Sequence, residues 1–257
     1  MEDRLGTLLA ENDVLYGVIC RDATPVDIEL FAQAGYHFIW LDLEHSPQSP
    51  AEVMRLCRQI MHMGMVPQIR IVELIRTHMQ QLLDGGAQII TLPDVRTVAE
   101  AQKLVAMGKY PPVGQRGVST CAAGTDYTMG DDPQQTLALA NQAVHLMVMF
   151  ESDEGYERLD DILAVPGYDL ANIGPMDWGV NLGLFGAAAK EHLGPKIEHV
   201  IKASVAAGKT MAMAAMDADQ AKAYVDLGVR MLMIGVDVAA KRKMWMDQIE
   251  KIRNIGT

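Results

Sequence analysis

The chain has 257 residues, a formal net charge of −11, 49% hydrophobic and 21% charged residues, which is ordinary for a soluble globular fold and excludes disordered or collagen-like chains. An acidic balance of this size disfavours a protein whose work is neutralising nucleic-acid phosphates. The length suits one domain over residues 1–257, the usual size of a (β/α)8 TIM barrel.

The N-terminal stretch MEDRLGTLLAENDVLYG is acidic where a secretory signal is basic, and no run approaches the ~18 apolar residues of a membrane span, so neither targeting nor membrane association is expected. Short apolar or β-branched runs then alternate with helix-periodic segments, the pattern of βα units closing a parallel sheet. The predicted strands are Val14–Cys20, His37–Leu43, Val66–Ile71, Ile89–Leu92, Val144–Glu151, Asp169–Ile173, Thr210–Ala214 and Met231–Gly235. Helix starts are marked by Thr24-Pro25, Ser49-Pro50 and Asp132-Pro133, with capping-box spacing at Ser49/Glu52 and Thr97/Glu100. Helix ends are marked by Gly35, Gly64, Gly85, Gly108, Gly208 and Gly228.

Lys109–Gly130 is too rich in Gly, Pro and small polar residues for a helix and is expected to wall the active site as a long loop. Ala239–Ile255 reads as a basic amphipathic helix whose Met244, Met246, Ile249 and Ile252 dock on another subunit, with a membrane-surface role the lesser reading. Cys20, Cys57 and Cys121 form no CxxC pair, which points to a reducing, cytoplasmic compartment.

Chemistry in a parallel barrel gathers at the C-terminal strand ends. Asp42, Glu44 and His45 follow the second strand, either as loop carboxylates serving the next helix or as a general base held by a carboxylate. Arg70 shares an inward face with Gln68; its guanidinium requires an anion, either Asp42 or Glu44 in an internal ion pair or a substrate carboxylate or enolate. Glu151 closes a face shared with His145, Met147 and Met149, where a carboxylate is costly unless paired or metal-bound. Gly174-Pro175-Met176-Asp177 forms a tight turn that aims backbone N–H groups and a carboxylate at one ligand. Two carboxylates from separate strands suit a hard ion such as Mg²⁺ or Mn²⁺.

The predicted strand ends carry no lysine for a Schiff base, and GxGxxG, P-loop and GxSxG motifs are missing from the sequence. His37, His62, His78, His145, His192 and His199 lack ligand spacing with acidic partners and read as surface or core residues.

The segments GYHFIWLDLEHSP, VPQIR, LLDGGAQIITLPDVRTVAEAQ, KYPPVGQRGVS, FES and VPGYDLANIGPMDWGVNLG, taken in order, resemble the HpcH/HpaI class II pyruvate aldolases. The resemblance implies a modified TIM barrel, a hexamer (a trimer of dimers) that exchanges a C-terminal helix, and metal-dependent cleavage of a 4-hydroxy-2-oxo acid to pyruvate and an aldehyde. By motif it implies Glu151 and Asp177 as ligands to Mg²⁺, Mn²⁺ or Co²⁺, His45 as base and Arg70 as enolate stabiliser. Asp84 matches the carboxylate that raises the basicity of that histidine, and Asp42 is counted with them among the catalytic residues. The Gly174–Trp178 turn, its Met176–Asp177 backbone above all, matches the pyruvate carboxylate clamp.

Three departures stand out: Met149 where the family has Gln, Trp178 where it often has Leu, and Ser152-Asp153 where it has Thr-Arg. They point to a pocket altered for donor or aldehyde. Oxaloacetate decarboxylation, cleavage of a related acid or acyl thioester, and a non-catalytic ligand-binding barrel are the alternative readings.

Overall fold

The structure, a computed structural model, describes residues 2–253 and 255. Its strands are β1 (Leu15–Cys20), β2 (Phe38–Asp42), β3 (Val66–Arg70), β4 (Ile89–Leu92), β5 (His145–Phe150), β6 (Leu170–Ile173), β7 (Thr210–Ala215) and β8 (Met231–Val236). All pair in parallel and in sequential order into a closed barrel. The helices are α1 (Arg4–Glu11), α2 (Pro25–Gln33), α3 (Pro50–His62), α4 (Arg76–Asp84), α5 (Val98–Gly108) and α6 (Pro133–Ala143). They continue with α7 (Asp153–Glu157), α8 (Leu159–Leu163), α9 (Pro175–Asn181), α10 (Gly186–Ala206), α11 (Ala218–Asp226) and α12 (Asp237–Arg253). Each expected strand is present with its ends within one residue, and the caps form as expected at Thr24, Ser49, Thr97 and Asp132.

Alternation along each strand divides the apolar residues between two cores. Leu15, Phe38, Val66, Ile89, Met147, Leu170 and Met231 fill the barrel, joined by Leu5 and Leu8 of α1. The opposite strand faces, with Ile39, Leu41, Ile69, Ile90 and Val148, pack against Val53, Leu56, Leu82 and Leu104 of the surrounding helices. Helix α1 thus stoppers the N-terminal end of the barrel, its first turn capped by Asp3, which accepts from the Gly6 N–H at 2.9 Å. Gly17 is needed inside: a Cβ there would lie 2.1 Å from the Phe38 ring.

The long segment after α5 corrects the expectation of an active-site wall. It follows a helix, so it connects at the N-terminal ends of the strands, opposite the mouth. There a 3-10 turn at Ala123–Thr125 packs on α4, and α6 packs on α1. Lys109 is anchored at the same end, 2.8 Å from the Asn141 carbonyl and 3.7 Å from Asp169 beside the start of β6.

The C-terminal helix begins two residues earlier than expected, at Asp237, and Asn254 lies outside the described residues. Met244, Trp245, Met246, Ile249 and Ile252 are exposed along it. Among the described residues no helix is long and apolar enough to cross a membrane.

Candidate active site

Asp42 and Arg70 stand opposite each other in the β2–β3 register. The inward parity of both strands turns the two side chains together at the mouth. Arg70 donates from Nε to Asp42 Oδ1 at 3.0 Å and from Nη2 to Oδ2 at 2.6 Å, and the guanidinium lies over the Trp40 ring. Arg21 also pairs with Asp42 Oδ2. Asp42 Oδ1 accepts the Glu44 N–H at 3.0 Å and the His45 N–H at 3.4 Å, which fixes the turn carrying both residues. Arg70 Nη1 is 2.9 Å from Glu44 Oε2, an ion contact without hydrogen-bond alignment.

The internal ion pair left open by the sequence is therefore present, with both carboxylates. Burial would raise the Asp42 carboxyl, but the Arg70 hydrogen bonds and charge, aided by Arg21, outweigh it and hold it below the ordinary range. His45 is more than half exposed at the mouth, with Nε2 4.0 Å from Glu44 Oε2.

Across the barrel, Glu151 leaves the end of β5 almost wholly buried, 3% exposed. Its Oε1 accepts the Asp94 N–H at 2.8 Å, while Oε2 has no partner. Asp94 holds φ at 46°, in the left-handed region, and this conformation presents its N–H to the carboxylate. Burial, then the nearby Asp177 and Glu44 carboxylates, push Glu151 up to about 8 against the opposing pull of Asp94 N–H and Arg70. Glu44 is raised for related reasons: burial first, then Asp42 and Asp177, with Arg70 and His45 opposing.

A half-satisfied buried carboxylate facing further carboxylates is a donor set short of positive charge, and a hard divalent cation fits it. Among the described residues no three His, Cys, Asp or Glu side chains gather as a complete metal cage. Glu151 and Asp177 would thus hold such an ion with positions left for water or substrate oxygens.

Gly174, with an ordinary φ of −103°, makes room for Glu151: a Cβ there would lie 2.0 Å from Oε2 and 2.8 Å from the Met149 methyl. Met149 is buried directly beside the carboxylate. Pro175, Met176 and Asp177 open α9 at the mouth, and Met176 and Asp177 are exposed.

Two expected site residues lie elsewhere in the chain. Trp178 is fully buried in the outer core, its Nε1 donating to Asp153 Oδ1 at 2.8 Å, because one step along α9 turns the side chain from the mouth toward α7 and α10. Lys196 of α10 reaches the same Asp153 oxygen at 2.6 Å. Trp178 and Asp153, two of the departures from the family pattern, are therefore hydrogen-bonded partners outside the pocket. Asp84 ends α4, which runs antiparallel to the strands, so it sits at the opposite end of the barrel from His45 and accepts from Arg116 Nη2 at 2.7 Å.

Two contributors to the site were missed, Asp94 and Arg21. Asp94 acts through its main chain, which leaves no side-chain signal. Arg21 follows β1 in the inward parity. His145 lies at the far end of the barrel, where the fold sets its ring 2.9 Å from Asp3 and 3.4 Å from Asp169, acidic partners that sequence spacing did not suggest.

A family model described as HpcH/HpaI aldolase/citrate lyase matches residues 16–243. A hydroxypyruvate/pyruvate aldolase from Delftia acidovorans is 30% identical over 95% of this chain and 90% of its own length. A 2-keto-3-deoxy-L-rhamnonate aldolase from Salmonella gallinarum is 33% identical over 89% of this chain and 85% of its own. Among solved structures, the HpcH/HpaI aldolase from Desulfitobacterium hafniense superposes with a TM-score of 0.90 at 27% identity, covering 97% of this chain and 96% of that one.

Proposed function

The chain belongs to the HpcH/HpaI aldolase/citrate lyase family, and from that premise we propose that it is a metal-dependent aldolase. It cleaves a 4-hydroxy-2-oxo acid to pyruvate and an aldehyde and joins them in reverse, at the C-terminal mouth of the barrel. The observation that carries this reading is Glu151: a buried carboxylate with one oxygen unpartnered, across the mouth from a buried arginine.

When bound by Glu151 and Asp177, a divalent ion (Mg²⁺, Mn²⁺ or Co²⁺) supplies an electrophile that lowers the energy of the pyruvate enolate. Asp94 N–H and the absent side chain of Gly174 keep the Glu151 carboxylate in place. Arg70 has five N–H groups and spends two on hydrogen bonds to Asp42, beside its ion contact with Glu44, so N–H groups remain for the developing enolate oxygen. Asp42 fixes that guanidinium, so the charge is in position before the C3–C4 bond breaks and costs no reorganisation.

His45, exposed and held by the turn on Asp42, removes the C4 hydroxyl proton in cleavage and returns it in condensation. The N–H groups of Met176 and Asp177, in the first turn of α9, have no acceptor within their own helix and receive the pyruvate carboxylate. Within one chain Asp84 pairs with Arg116 at the other end of the barrel and does not reach His45.

The protein acts as one domain over residues 1–257, in the cytoplasm. It works as a homo-oligomer, a hexamer assembled as a trimer of dimers that exchange α12, a reading supported by the exposed Met244, Trp245, Met246 and Ile249. The test is pyruvate release from a 4-hydroxy-2-oxo acid by metal-loaded protein. Glu151→Ala and Asp177→Ala should each abolish it, and turnover surviving in both overturns the assignment.

A further inference from the structure

Alternation along β6 turns Leu170 and Asn172 into the barrel and Ala171 and Ile173 toward the surrounding helices. Asn172 is 1% exposed. Its Oδ1 accepts the Ile173 N–H at 2.5 Å, which fixes the way the carboxamide faces, and among the described residues its Nδ2 has no partner. A buried amide donor left unmet costs stability, so its place in the fold calls for something that binds there. The inward carboxamide of Gln68 differs: its Nε2 is spent on Thr91 Oγ1 at 3.0 Å and Met147 Sδ at 3.5 Å.

That donor sits in the floor of the mouth. Asn172 stands opposite Met149 in the β5–β6 register, and two residues further along the two strands come Gly174 and Glu151, which pack together. On its other side β7 sets Ala212 level with Asn172, and Ala214, the next inward residue, is only partly buried. The wall beside the carboxamide is thus cut back to methyl groups and opens toward the mouth. Met149 leans across from β5 with its methyl against Gly174, and an unbranched thioether yields to an incoming ligand by rotation alone.

Met149 occupies the position at which the aldolases that the sequence resembles carry a glutamine, so β5 brings no amide to this level. Resting on the aldolase reading above, we infer that Asn172 brings it from the neighbouring strand, its Nδ2 donating a hydrogen bond to an oxygen of the bound 2-oxo acid. The carboxamide has moved from one strand to its registered partner, and Asn172 is a further substrate-binding residue of the reaction.

The test titrates oxalate, an unreactive mimic of the planar pyruvate enolate, into the Mg²⁺-loaded full chain by calorimetry. Asn172→Leu keeps the bulk and removes the donors. It should weaken oxalate binding by about 10- to 100-fold, the range expected for one lost hydrogen bond to a charged group, and leave the affinity for Mg²⁺ alone unchanged. Asn172→Ser, smaller and still polar, should lose oxalate affinity in the same way and serves where the leucine variant does not fold. Adding Met149→Gln to either variant should restore oxalate binding, because it returns an amide to the same level from β5; a merely structural role for Asn172 would not be cured there. Undiminished oxalate affinity in the folded variants would overturn the inference, as would losses of Mg²⁺ and oxalate affinity in equal measure. Wild-type exchange of pyruvate methyl protons in D₂O separates the two claims: exchange together with undiminished oxalate affinity in the variants removes only the Asn172 assignment, whereas no exchange with any ion removes the aldolase reading and this inference with it.

Discussion

Replacing Glu151 by Gln should stabilise the metal-free protein, and by an amount that depends on pH in a defined direction. The carboxyl is held up to about 8 in the fold against an ordinary 4.5. Below about pH 4.5 native and unfolded chains both carry the proton and the site costs nothing. Between 4.5 and 8 the unfolded chain has released its proton while the native chain retains it, so native stability falls as pH rises. Above 8 the full penalty persists; the gap from 4.5 to about 8, at about 1.4 kcal/mol per pH unit, is on the order of 5 kcal/mol.

Glutamine keeps an acceptor for the Asp94 N–H and removes the charge. In EDTA, urea unfolding should show near-equal stability for the two proteins at about pH 4 and a several-kcal/mol advantage for Glu151→Gln at about pH 8.5. Added Mn²⁺ should then stabilise wild type and leave the variant where it was. Equal stabilities at both pH values in EDTA would refute the view that Glu151 is a buried charge waiting for a cation.

Gly174→Ala places a Cβ 2.0 Å from Glu151 Oε2, so the carboxylate must turn away; turnover should fall about 100-fold for a stability loss of only about 1–3 kcal/mol, and wild-type kcat in a folded variant would refute the packing. Burial lowers the His145 imidazolium, but Asp169 and Asp3 outweigh it and raise its pKa, so its contribution is complete below the ordinary 6.5 and is lost as pH rises through the raised value. The stability difference between wild type and His145→Gln, on the order of 1 kcal/mol because both carboxylates are partly exposed, should therefore shrink toward alkaline pH; a difference that grows would contradict the pairing. Trp178→Phe and Asp153→Ala should be coupled by about 1 kcal/mol in a double-mutant cycle read by unfolding, and additive losses would deny their hydrogen bond.

The barrel was legible because its strands are apolar, β-branched and cut off by turn residues, and the same period of two that located them placed Asp42, Arg70 and Glu151 on the inner face. Arg21 obeys that period as well; it escaped attention because it falls one residue past the strand. What stayed hidden depends on helix direction and on contacts between distant elements. Lys109–Gly130 reads like an active-site loop in composition, yet it follows a helix and so belongs to the other end of the barrel. Asp84 is carried to that end by α4 for the same reason. Trp178 and Asp153 look like separate changes to a pocket until the fold shows one accepting a hydrogen bond from the other at 2.8 Å. Asp94 contributes an N–H from a left-handed backbone, which side-chain chemistry does not announce.

The measurement that tests the central claim most directly is proton exchange at the methyl group of pyruvate in D₂O, followed by NMR with metal-stripped protein before and after adding Mg²⁺, Mn²⁺ or Co²⁺. The account predicts no exchange without metal, exchange on adding it, and its loss in Glu151→Gln, because enolate formation needs only the donor half of the reaction and the carboxylates that hold the ion. Exchange that proceeds equally in EDTA, or none with any of the three ions, would contradict it.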